Sequence, residues 1–309
     1  MDRLLITGGA GLVGFNLCYL LQKEDYEITI IDKSHENISI FKELFPSIKT
    51  ICADLSQDDT WKDQMESYEY LIVCHAQISS LEEKDFINNN IISTKKLLNV
   101  IDSKAIRKII HISSSVINSE ANDYYVTSKK EQEDIIKKSK YDYIILRPTL
   151  MFGWFDKKHL GWLAKFMKKF HIFPIPGDGK YIRQPLFVLD FCKIIISALK
   201  KPNLDKVYDI SGKDRITYIE IIKKIREVAK INSLIIKIPY NLFYFLINLY
   251  SYFDKNPPFT VSQLEALVIP ETFKVIDWEN IFEIKKTNFE DALDKTLNDK
   301  RYSKISLKR

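Results

Sequence analysis

Tyr125 and Lys129 stand four positions apart in the stretch "YVTSKKEQE". On a helix, this spacing puts the two side chains on one face, a single turn apart. An ammonium group beside a phenol favours the phenolate, so we expect the pKa of Tyr125 to fall below its usual value of about 10. Such a tyrosine can take the proton of a substrate hydroxyl while a hydride leaves the same carbon. The pair therefore predicts proton transfer coupled to hydride transfer.

A cluster of glycines near the start of the chain predicts what would receive the hydride. Four of the nine glycines lie between positions 8 and 14, in "TGGAGLVG". Gly9, Gly11 and Gly14 fit G-x-G-x-x-G, directly after a predicted strand and at the start of a predicted helix. In that setting the glycines permit a tight turn, a close approach to a pyrophosphate and close helix–strand packing. The N–H groups at the start of the helix favour phosphate.

Asp32 indicates which dinucleotide the turn would hold. It ends the second predicted strand, 18 residues after Gly14, where a carboxylate can accept hydrogen bonds from an adenosine ribose. A carboxylate at this place repels a 2′-phosphate, so NAD is favoured over NADP. Lys33 beside it weakens this preference without reversing it.

Short apolar runs alternate with helical patterns through the first half of the chain, which is typical of βαβ units and a parallel sheet. The predicted strands are Leu4–Thr7, Ile28–Ile31, Thr50–Ala53, Tyr70–Cys74, Lys108–Ile112 and Tyr143–Leu146. The predicted helices lie near Leu12–Gln22, Ile87–Ile101 and Ser128–Lys138. The fold class expected is α/β, a Rossmann-type doubly wound parallel sheet with a smaller C-terminal lobe.

The pattern becomes looser after "LRP" at positions 146–148. Residues 173–185 are dense in Gly and Pro and predict an extended loop, whereas residues 218–230 repeat apolar residues at helical spacing, with Thr217 as a possible N-cap. We expect residues 1–172 to form the nucleotide-binding domain and residues 173–309 a substrate-binding lobe, whose segments could interleave with the first domain.

Composition excludes several other classes of function. The net charge of +5 comes from 46 basic and 41 acidic residues spread along the chain, and no basic block predicts nucleic-acid binding. The four cysteines and five histidines are scattered and show no metal-ligand or disulfide spacing. With no signal peptide recognised, we expect a cytoplasmic protein without a metal centre.

Residues 238–253, "IPYNLFYFLINLYSYF", are almost entirely apolar or aromatic. The segment is shorter than the ~20 residues that a membrane-spanning helix needs. One interpretation is a helix packed over a pocket or between subunits, which we favour. The alternative is a surface helix that makes peripheral contact with a membrane or a lipid-linked substrate.

An ordered set of motifs resembles the extended short-chain dehydrogenase/reductases, the family of NAD-dependent epimerases and dehydratases that act on nucleotide sugars. The resemblance covers about residues 3–230. It rests on "TGGAGLVG", "ADL", "CHAQ", "NNNIISTKKLL", "HISSS", "YVTSKKEQE", "ILRPTLMFG" and "GDGKYIRQPLFVLDF", which follow one another in the family's order. Ser93 stands where the family's helix has glycine.

The resemblance implies a complete set of site residues. The catalytic residues would be Ser114, Tyr125 and Lys129, and Lys129 would also bond the nicotinamide ribose. The cofactor would contact Gly8, Gly11, Leu12, Val13, Asp32, Lys33, Asp54, Leu55, His75, Ala76, Gln77, Tyr125, Lys129 and Pro148. The substrate would contact Ser113, Ser114 and Arg183.

The sequence leaves alternatives open for the catalytic serine, for Arg183 and for Asp190. Counting from the strand "KIIHI" selects Ser114 as the catalytic hydroxyl, which we predict, whereas counting back from "VIN" selects Ser113. Arg183 could contact a substrate phosphate or be a surface arginine. Asp190 is expected to cap a helix rather than touch substrate.

Two departures from the family's patterns restrict the reactions that we expect. The segment after Arg147 lacks the asparagine with which nucleotide-sugar enzymes often hold substrate. Ser115 and Val116 stand where sugar 4,6-dehydratases carry an acidic pair. Dehydration is therefore less favoured than epimerisation or carbonyl reduction.

The first hypothesis is an NAD-dependent epimerase of a nucleotide- or lipid-diphosphate-linked sugar, acting through a 4-keto intermediate with Tyr125 as acid and base. A sugar or sterol-like dehydrogenase or reductase, using NAD(P), is the second hypothesis. The third is a non-catalytic NAD(P)-binding structural subunit, although such relatives tend to lose the Tyr–Lys pair. The family also implies a homodimer.

Overall fold

The computed structural model describes residues 1–57, 59–102, 104–118, 123–156, 159–202, 204–253, 260–269 and 272–308. Its strands are β1 (Asp2–Thr7), β2 (Tyr26–Asp32), β3 (Lys49–Cys52), β4 (Tyr70–Val73), β5 (Lys108–Ile112), β6 (Tyr143–Pro148), β7 (Met151–Phe152), β8 (Ile172–Pro176), β9 (Ile182–Arg183), β10 (Leu186–Phe187), β11 (Val207–Ile210), β12 (Ile216–Thr217) and β13 (Leu234–Ile238).

The α-helices are α1 (Leu12–Leu21), α2 (His35–Leu44), α3 (Glu83–Phe86), α4 (Ser93–Val100), α5 (Tyr124–Lys137), α6 (Leu160–Lys169), α7 (Val188–Lys200), α8 (Tyr218–Val228), α9 (Tyr240–Phe253), α10 (Val261–Val268), α11 (Trp278–Phe282) and α12 (Phe289–Asn298). A π-helical segment, Ile87–Ile92, joins α3 to α4.

Seven strands form a parallel sheet in the order β11-β6-β5-β4-β1-β2-β3. The central strands are apolar throughout because helices cover both faces of the sheet. Leu4 and Ile6 point into one buried cluster and Leu5 into the other. The order reverses between β1 and β4, so the carboxyl ends of these two strands flank the crevice in which doubly wound folds bind ligands. The predicted Rossmann-type fold is confirmed.

The predicted strands and helices match the observed ones with small shifts at their ends. α5 begins at Tyr124, four residues earlier than predicted, because the Asp123 carboxylate accepts a hydrogen bond from the Val126 N–H at 2.8 Å. Thr217 caps α8 as proposed, in a reciprocal capping box with Glu220. Residues 173–185 were expected to be a loop, but they contain β8 and β9.

The second half of the chain interleaves with the sheet rather than forming a separate unit. β11 pairs with β6 at one edge, and α7 packs on α1 and β5. The buried Asp190 carboxylate on α7 accepts hydrogen bonds from the N–H and the hydroxyl of Thr287, at 2.8 and 2.7 Å. Asp190 therefore anchors the C-terminal segment to α7. The boundary at residue 172 stays a prediction.

Most of α9 lies at the surface, although its sequence is largely apolar. Phe243 and Ile247 turn inward, whereas Leu242, Phe245 and Leu249 are exposed. Within the part of the chain that is described, no helix combines the length and the apolar character that a membrane crossing requires.

Candidate active site

The glycine turn joins β1 to α1 in a backbone path that side chains would block. Gly8 has φ +63°, and a Cβ there would lie 2.7 Å from the backbone of His75. A Cβ on Gly14 would lie 2.2 Å from the carbonyl oxygen of Gly9, so α1 packs directly on the turn. Gly11 is the N-cap of α1 and offers no side chain to cover the first N–H groups. This cradle fits a pyrophosphate.

Leu12 and Val13 form the first turn of α1, where their N–H groups would face that pyrophosphate. Both side chains lie against the apolar core, and Val13 is buried. A contact of these two residues with the cofactor would therefore come from the backbone.

Asp32 ends β2 beside the turn and is fixed by backbone donors. Its Oδ2 accepts the Ala10 N–H at 3.0 Å, and its Oδ1 accepts the Ser34 N–H at 2.9 Å. Burial raises the pKa of Asp32, and the two N–H groups oppose that rise. The carboxylate is thus held next to the cradle, as the NAD prediction requires.

Lys33 and Asp54 lie together beyond Asp32. The Lys33 ammonium donates to Oδ1 of Asn89 at 2.6 Å and lies 3.9 Å from the Asp54 carboxylate. Asp54 accepts both the N–H and the hydroxyl of Ser56, at 2.8 and 2.6 Å, while Leu55 is buried in the core. The carboxylates on either side of Lys33 leave this surface with little excess positive charge.

His75 follows β4 and serves as a neutral connector. Its Nδ1 lies 2.7 Å from the Thr7 hydroxyl and its Nε2 lies 3.0 Å from the Thr94 hydroxyl. The Thr94 hydroxyl donates its proton to the Asn90 carbonyl, so it must accept from the Nε2–H of His75. Burial, with the nearby charge of Lys129, lowers the pKa of His75 to about 3. The ring therefore stays neutral.

The segment Ala76–Gln77 is held at the end of β4 by Asn90. The Gln77 N–H donates to Oδ1 of Asn90 at 2.6 Å, and the Asn90 amide donates to the Gln77 carbonyl and to the Ser128 hydroxyl, at 3.2 and 2.8 Å. Asn90 is fully buried in the π-helical segment. π-bulges are frequent at functional sites because they redirect side chains out of the helical repeat.

Lys129 is completely buried on α5, the same helix as Tyr125. Its ammonium donates to the Ile112 carbonyl at 3.0 Å and to Oε1 of Gln132 at 2.5 Å, and Gln132 in turn donates to Thr94 at 2.9 Å. Removal from water lowers the pKa of Lys129 from 10.5 to about 7, although the Glu133 carboxylate opposes this shift. A lysine in this state can hold or release a proton near neutral pH.

Tyr125 differs from the sequence prediction in the direction of its pKa. Burial raises the pKa of this phenol, and a hydrogen bond from the adjacent Ser114 hydroxyl opposes the rise. The expected fall of the pKa is therefore not found in this structure, because loss of hydration outweighs the favourable neighbours. The phenol is held in its protonated form.

The two serines after β5 have different neighbours. Ser114 lies beside Tyr125, whereas the buried Ser113 side chain lies beside the carboxylate of Glu133. Glu133 forms a bidentate ion pair with Arg147, with both N–O distances at 2.8 Å. This geometry favours Ser114 as the hydroxyl next to the acid–base tyrosine.

Pro148, predicted to contact the cofactor, ends β6, and Arg183, predicted to contact the substrate, ends β9. Pro148 is buried at the end of β6, and the Thr149 hydroxyl donates to the Gln184 carbonyl at 3.3 Å. Arg183 is buried, and its guanidinium donates to the Ile269 carbonyl at 2.8 Å and to that of Leu267. Arg183 therefore neutralises the carbonyl end of α10, where the helix dipole is negative, instead of lying free at the surface.

Sequence reasoning did not assign roles to four polar residues that support the site. Thr7, Asn90, Thr94 and Gln132 link His75, Gln77 and Lys129 through the hydrogen bonds described above. Asn90 and Thr94 belong to "NNNIIST", part of a motif on which the family resemblance rests, so the sequence contained a signal for them. Gln132 could have been found from its position one turn after Lys129.

A parallel sheet with this crevice, glycine cradle and Ser–Tyr–Lys group defines a dinucleotide-binding enzyme of the short-chain dehydrogenase/reductase class. Residues 4–211 match the NAD-dependent epimerase/dehydratase family, and the chain belongs to it. The cofactor predicted from Asp32, NAD, is the cofactor of the family.

Individual relatives are distant in sequence. A low-salt glycan biosynthesis protein of Haloferax volcanii is 24% identical over 73% of this chain and 82% of its own length. A dTDP-D-glucose 4,6-dehydratase of Dictyostelium discoideum is 24% identical over 74% of this chain, which spans 62% of that enzyme.

Among solved structures, the UDP-glucuronic acid 4-epimerase of Bacillus cereus, in complex with UDP-glucuronic acid and NAD, superposes with a TM-score of 0.75. The match covers 96% of this chain and 98% of the epimerase, at 19% sequence identity. At this identity the likeness establishes the fold alone.

Proposed function

We propose that the protein is an NAD-dependent epimerase of a nucleotide- or lipid-diphosphate-linked sugar, acting through a 4-keto intermediate. The observation that carries the proposal is the group formed by Ser114, Tyr125 and Lys129 on the carboxyl side of the sheet. The glycine cradle and Asp32 lie along the same edge. A sugar hydroxyl between these two parts would meet both a proton acceptor and a redox cofactor.

The residues present fit NAD. Gly8, Gly11 and the first turn of α1 would hold the pyrophosphate, and Asp32 the adenosine ribose. Lys129 would bond the nicotinamide ribose. When bound, NAD supplies a reversible hydride acceptor.

Tyr125 is the acid and base of the proposed reaction. After loss of its own proton, the Tyr125 phenolate would take the proton of the sugar 4-hydroxyl, and the resulting phenol would return it when the carbonyl is reduced on the opposite face. Ser114 would hold the reacting oxygen, and the Lys129 ammonium would stabilise the phenolate. Because Lys129 has a pKa of about 7, its charge should change with pH near neutrality.

The residues that follow Ser114 support epimerisation rather than dehydration. Ser115 and Val116 follow Ser114 where a dehydratase would carry acidic residues, and the Val116 N–H points to the Ser114 hydroxyl at 3.4 Å. The described part of this turn, residues 113–118, contains no carboxyl group that could protonate a leaving hydroxyl.

The test is a panel of nucleotide sugars and lipid-diphosphate-linked sugars, analysed for C4 epimers and for net NADH. The expected result is interconversion of two epimers with no net change in NADH. Tyr125→Phe should lower turnover by about 10³-fold while NAD stays bound. Tyr124→Phe is the matched control, since Tyr124 is 50% exposed on the same helix, and it should keep full activity.

Other outcomes would replace the proposal. Stoichiometric NADH formation would indicate a one-way sugar or sterol-like dehydrogenase instead. A structural subunit would bind NAD and turn over no substrate in the panel, and its Tyr125→Phe variant would bind NAD like the wild type. We further propose a homodimer, which light scattering of the purified protein tests directly.

A further inference from the structure

The exposed side of α9 carries a row of apolar side chains, and β13, which leads directly into α9, carries further ones together with its partner strand β8. Leu242, Phe245, Leu246 and Leu249 are between 44% and 60% exposed along α9. Their spacing puts them on one side of the helix, opposite the inward Phe243 and Ile247. An exposed apolar row of this kind marks a surface at which a protein binds a partner or a membrane.

Exposed apolar side chains also lie on the small sheet whose strand β13 leads into α9. Leu234 and Ile172 are register partners on β13 and β8 and are 60% and 53% exposed. Ile236 and Phe170 are 36% and 44% exposed in the same two chain segments. We name the exposed residues of 170–172, 234–236 and 242–249 the apolar platform.

The two chain segments that form the apolar platform carry charges of one sign. The segments 160–177 and 229–253 contain five lysines and no Asp or Glu. Lys168 and Lys169 end α6 next to Phe170, and Lys237 precedes α9; all three side chains are exposed. The segments of the platform therefore combine exposed apolar side chains with exposed lysines.

We infer that the apolar platform docks on the surface of a bilayer that contains anionic lipids. Peripheral helices of this kind bury apolar side chains at the boundary between headgroups and acyl chains while nearby lysines contact anionic headgroups. A second copy of the chain is a poorer occupant, because pairing two such faces would bring two sets of lysines together. The inference does not depend on the reaction that the enzyme catalyses.

The surface also connects to the candidate active site through one helix. α9 contacts α10, and the carbonyl end of α10 holds the guanidinium of Arg183. A bilayer on the platform would thus lie against elements that hold Arg183, which is predicted to contact the substrate. This arrangement suits a substrate whose carrier is embedded in the bilayer.

The experiment is vesicle flotation of the full chain at low salt, with phosphatidylcholine vesicles and with the same vesicles containing phosphatidylglycerol. The expected result is binding that is stronger on the anionic vesicles and falls as salt rises. Phe245→Ser/Leu249→Ser should weaken binding to both kinds of vesicle by about ten-fold. The matched control is Leu81→Ser/Ile87→Ser, which removes exposed apolar side chains elsewhere and should bind like the wild type.

A charge series tests the exposed lysines separately. The triple substitution Lys168→Glu/Lys169→Glu/Lys237→Glu should lower binding to anionic vesicles by at least about a hundred-fold, since each lysine contributes about five-fold. Lys23→Glu/Lys104→Glu/Lys300→Glu changes the net charge equally at exposed positions elsewhere, and should lower binding far less.

Three results would overturn the inference. The first is no binding of the wild type to anionic vesicles at low salt. The second is an equal loss in the two charge triples. The third is conversion of an oligomer to a monomer by Phe245→Ser/Leu249→Ser without any vesicle binding, which would make the platform a contact between copies. Thermal unfolding of each variant identifies loss of folding, which exposed substitutions should not cause.

Discussion

The ammonium group of Lys129 lies 3.0 Å from the carbonyl oxygen of Ile112, the last residue of β5. This hydrogen bond fixes the lysine at the strand end from which Ser113 and Ser114 continue. The side chain is completely buried, and this removal from water lowers the pKa of Lys129 from 10.5 to about 7. The charge of a residue that we propose for the reaction therefore destabilises the fold.

The first prediction concerns the pH dependence of stability. Between about pH 7 and pH 10.5 the unfolded chain keeps the Lys129 proton and the folded chain loses it, so stability should rise with pH. The free energy of unfolding of the wild type, minus that of Lys129→Met, should rise with a slope approaching ~1.4 kcal/mol per pH unit. Urea titrations across this range measure the difference.

Below about pH 7 the same difference should level off, because Lys129 is then charged in both states. Lys130→Met, at an exposed position one residue further along, is the matched control. A slope of the same size in the control, or a flat difference for Lys129→Met, would contradict the role assigned to burial.

The second prediction separates the two serines. Ser114→Ala should lower kcat by about a hundred-fold, because it removes the hydroxyl beside Tyr125 that would hold the reacting oxygen. Ser113→Ala should leave kcat close to that of the wild type, since its side chain lies beside Glu133 instead. Steady-state kinetics with the substrate found in the panel decide the matter. The opposite ranking would transfer the catalytic role to Ser113.

The third prediction concerns cofactor choice. Asp32→Ala should weaken NAD binding by roughly ten- to a hundred-fold, the effect of losing charge-assisted hydrogen bonds of about 1.5–3 kcal/mol. It should also narrow the preference for NAD over NADP, because the carboxylate no longer repels a 2′-phosphate. Calorimetric titration with both cofactors measures the two effects. Asp25→Ala, at an exposed position, is the control. If both variants had the same dissociation constants for NAD and NADP, Asp32 would not be the residue that binds the adenosine ribose.

The fourth prediction compares two glycines. Gly14→Ala should destabilise the fold by about 3 kcal/mol and abolish NAD binding, since its Cβ would lie 2.2 Å from the Gly9 carbonyl oxygen. Gly177→Ala meets no atom within 4 Å, but its φ of +64° should still cost about 1 kcal/mol. Thermal unfolding with and without NAD distinguishes the two effects. An equal loss of stability in both variants would show that crowding at Gly14 is unimportant.

Much of the nucleotide-binding part could be predicted because its signals are local. The glycine turn, the position of Asp32 and the Tyr125–Lys129 spacing each depend on residues close in sequence, and all three are found at the carboxyl edge of the sheet. Thr217 was likewise identified as a possible N-cap because it directly precedes the helical pattern of residues 218–230. Their roles toward cofactor and substrate remain predictions.

The rest depends on partners that sequence spacing does not reveal. Arg183 donates to Ile269, 86 residues away, so its tie to the end of α10 could not be inferred from its own neighbours. The pKa of Tyr125 was predicted in the wrong direction because the sequence indicates which charges are near but not how much water is excluded. For α9 we favoured a helix packed over a pocket or between subunits and kept a membrane-contacting helix as the alternative, because an apolar sequence fits both.

The tie between Asp190 and Thr287 has a consequence for the order in which the chain folds. The two residues are 97 positions apart, and a ribosome makes Asp190 first. All seven strands of the sheet have been synthesised once β11 is complete, so the sheet can assemble while the Asp190 carboxylate is still hydrated. Only the arrival of Thr287 lets that carboxylate be buried with its donors in place. The last stretch of the chain therefore completes a core whose strands were made long before.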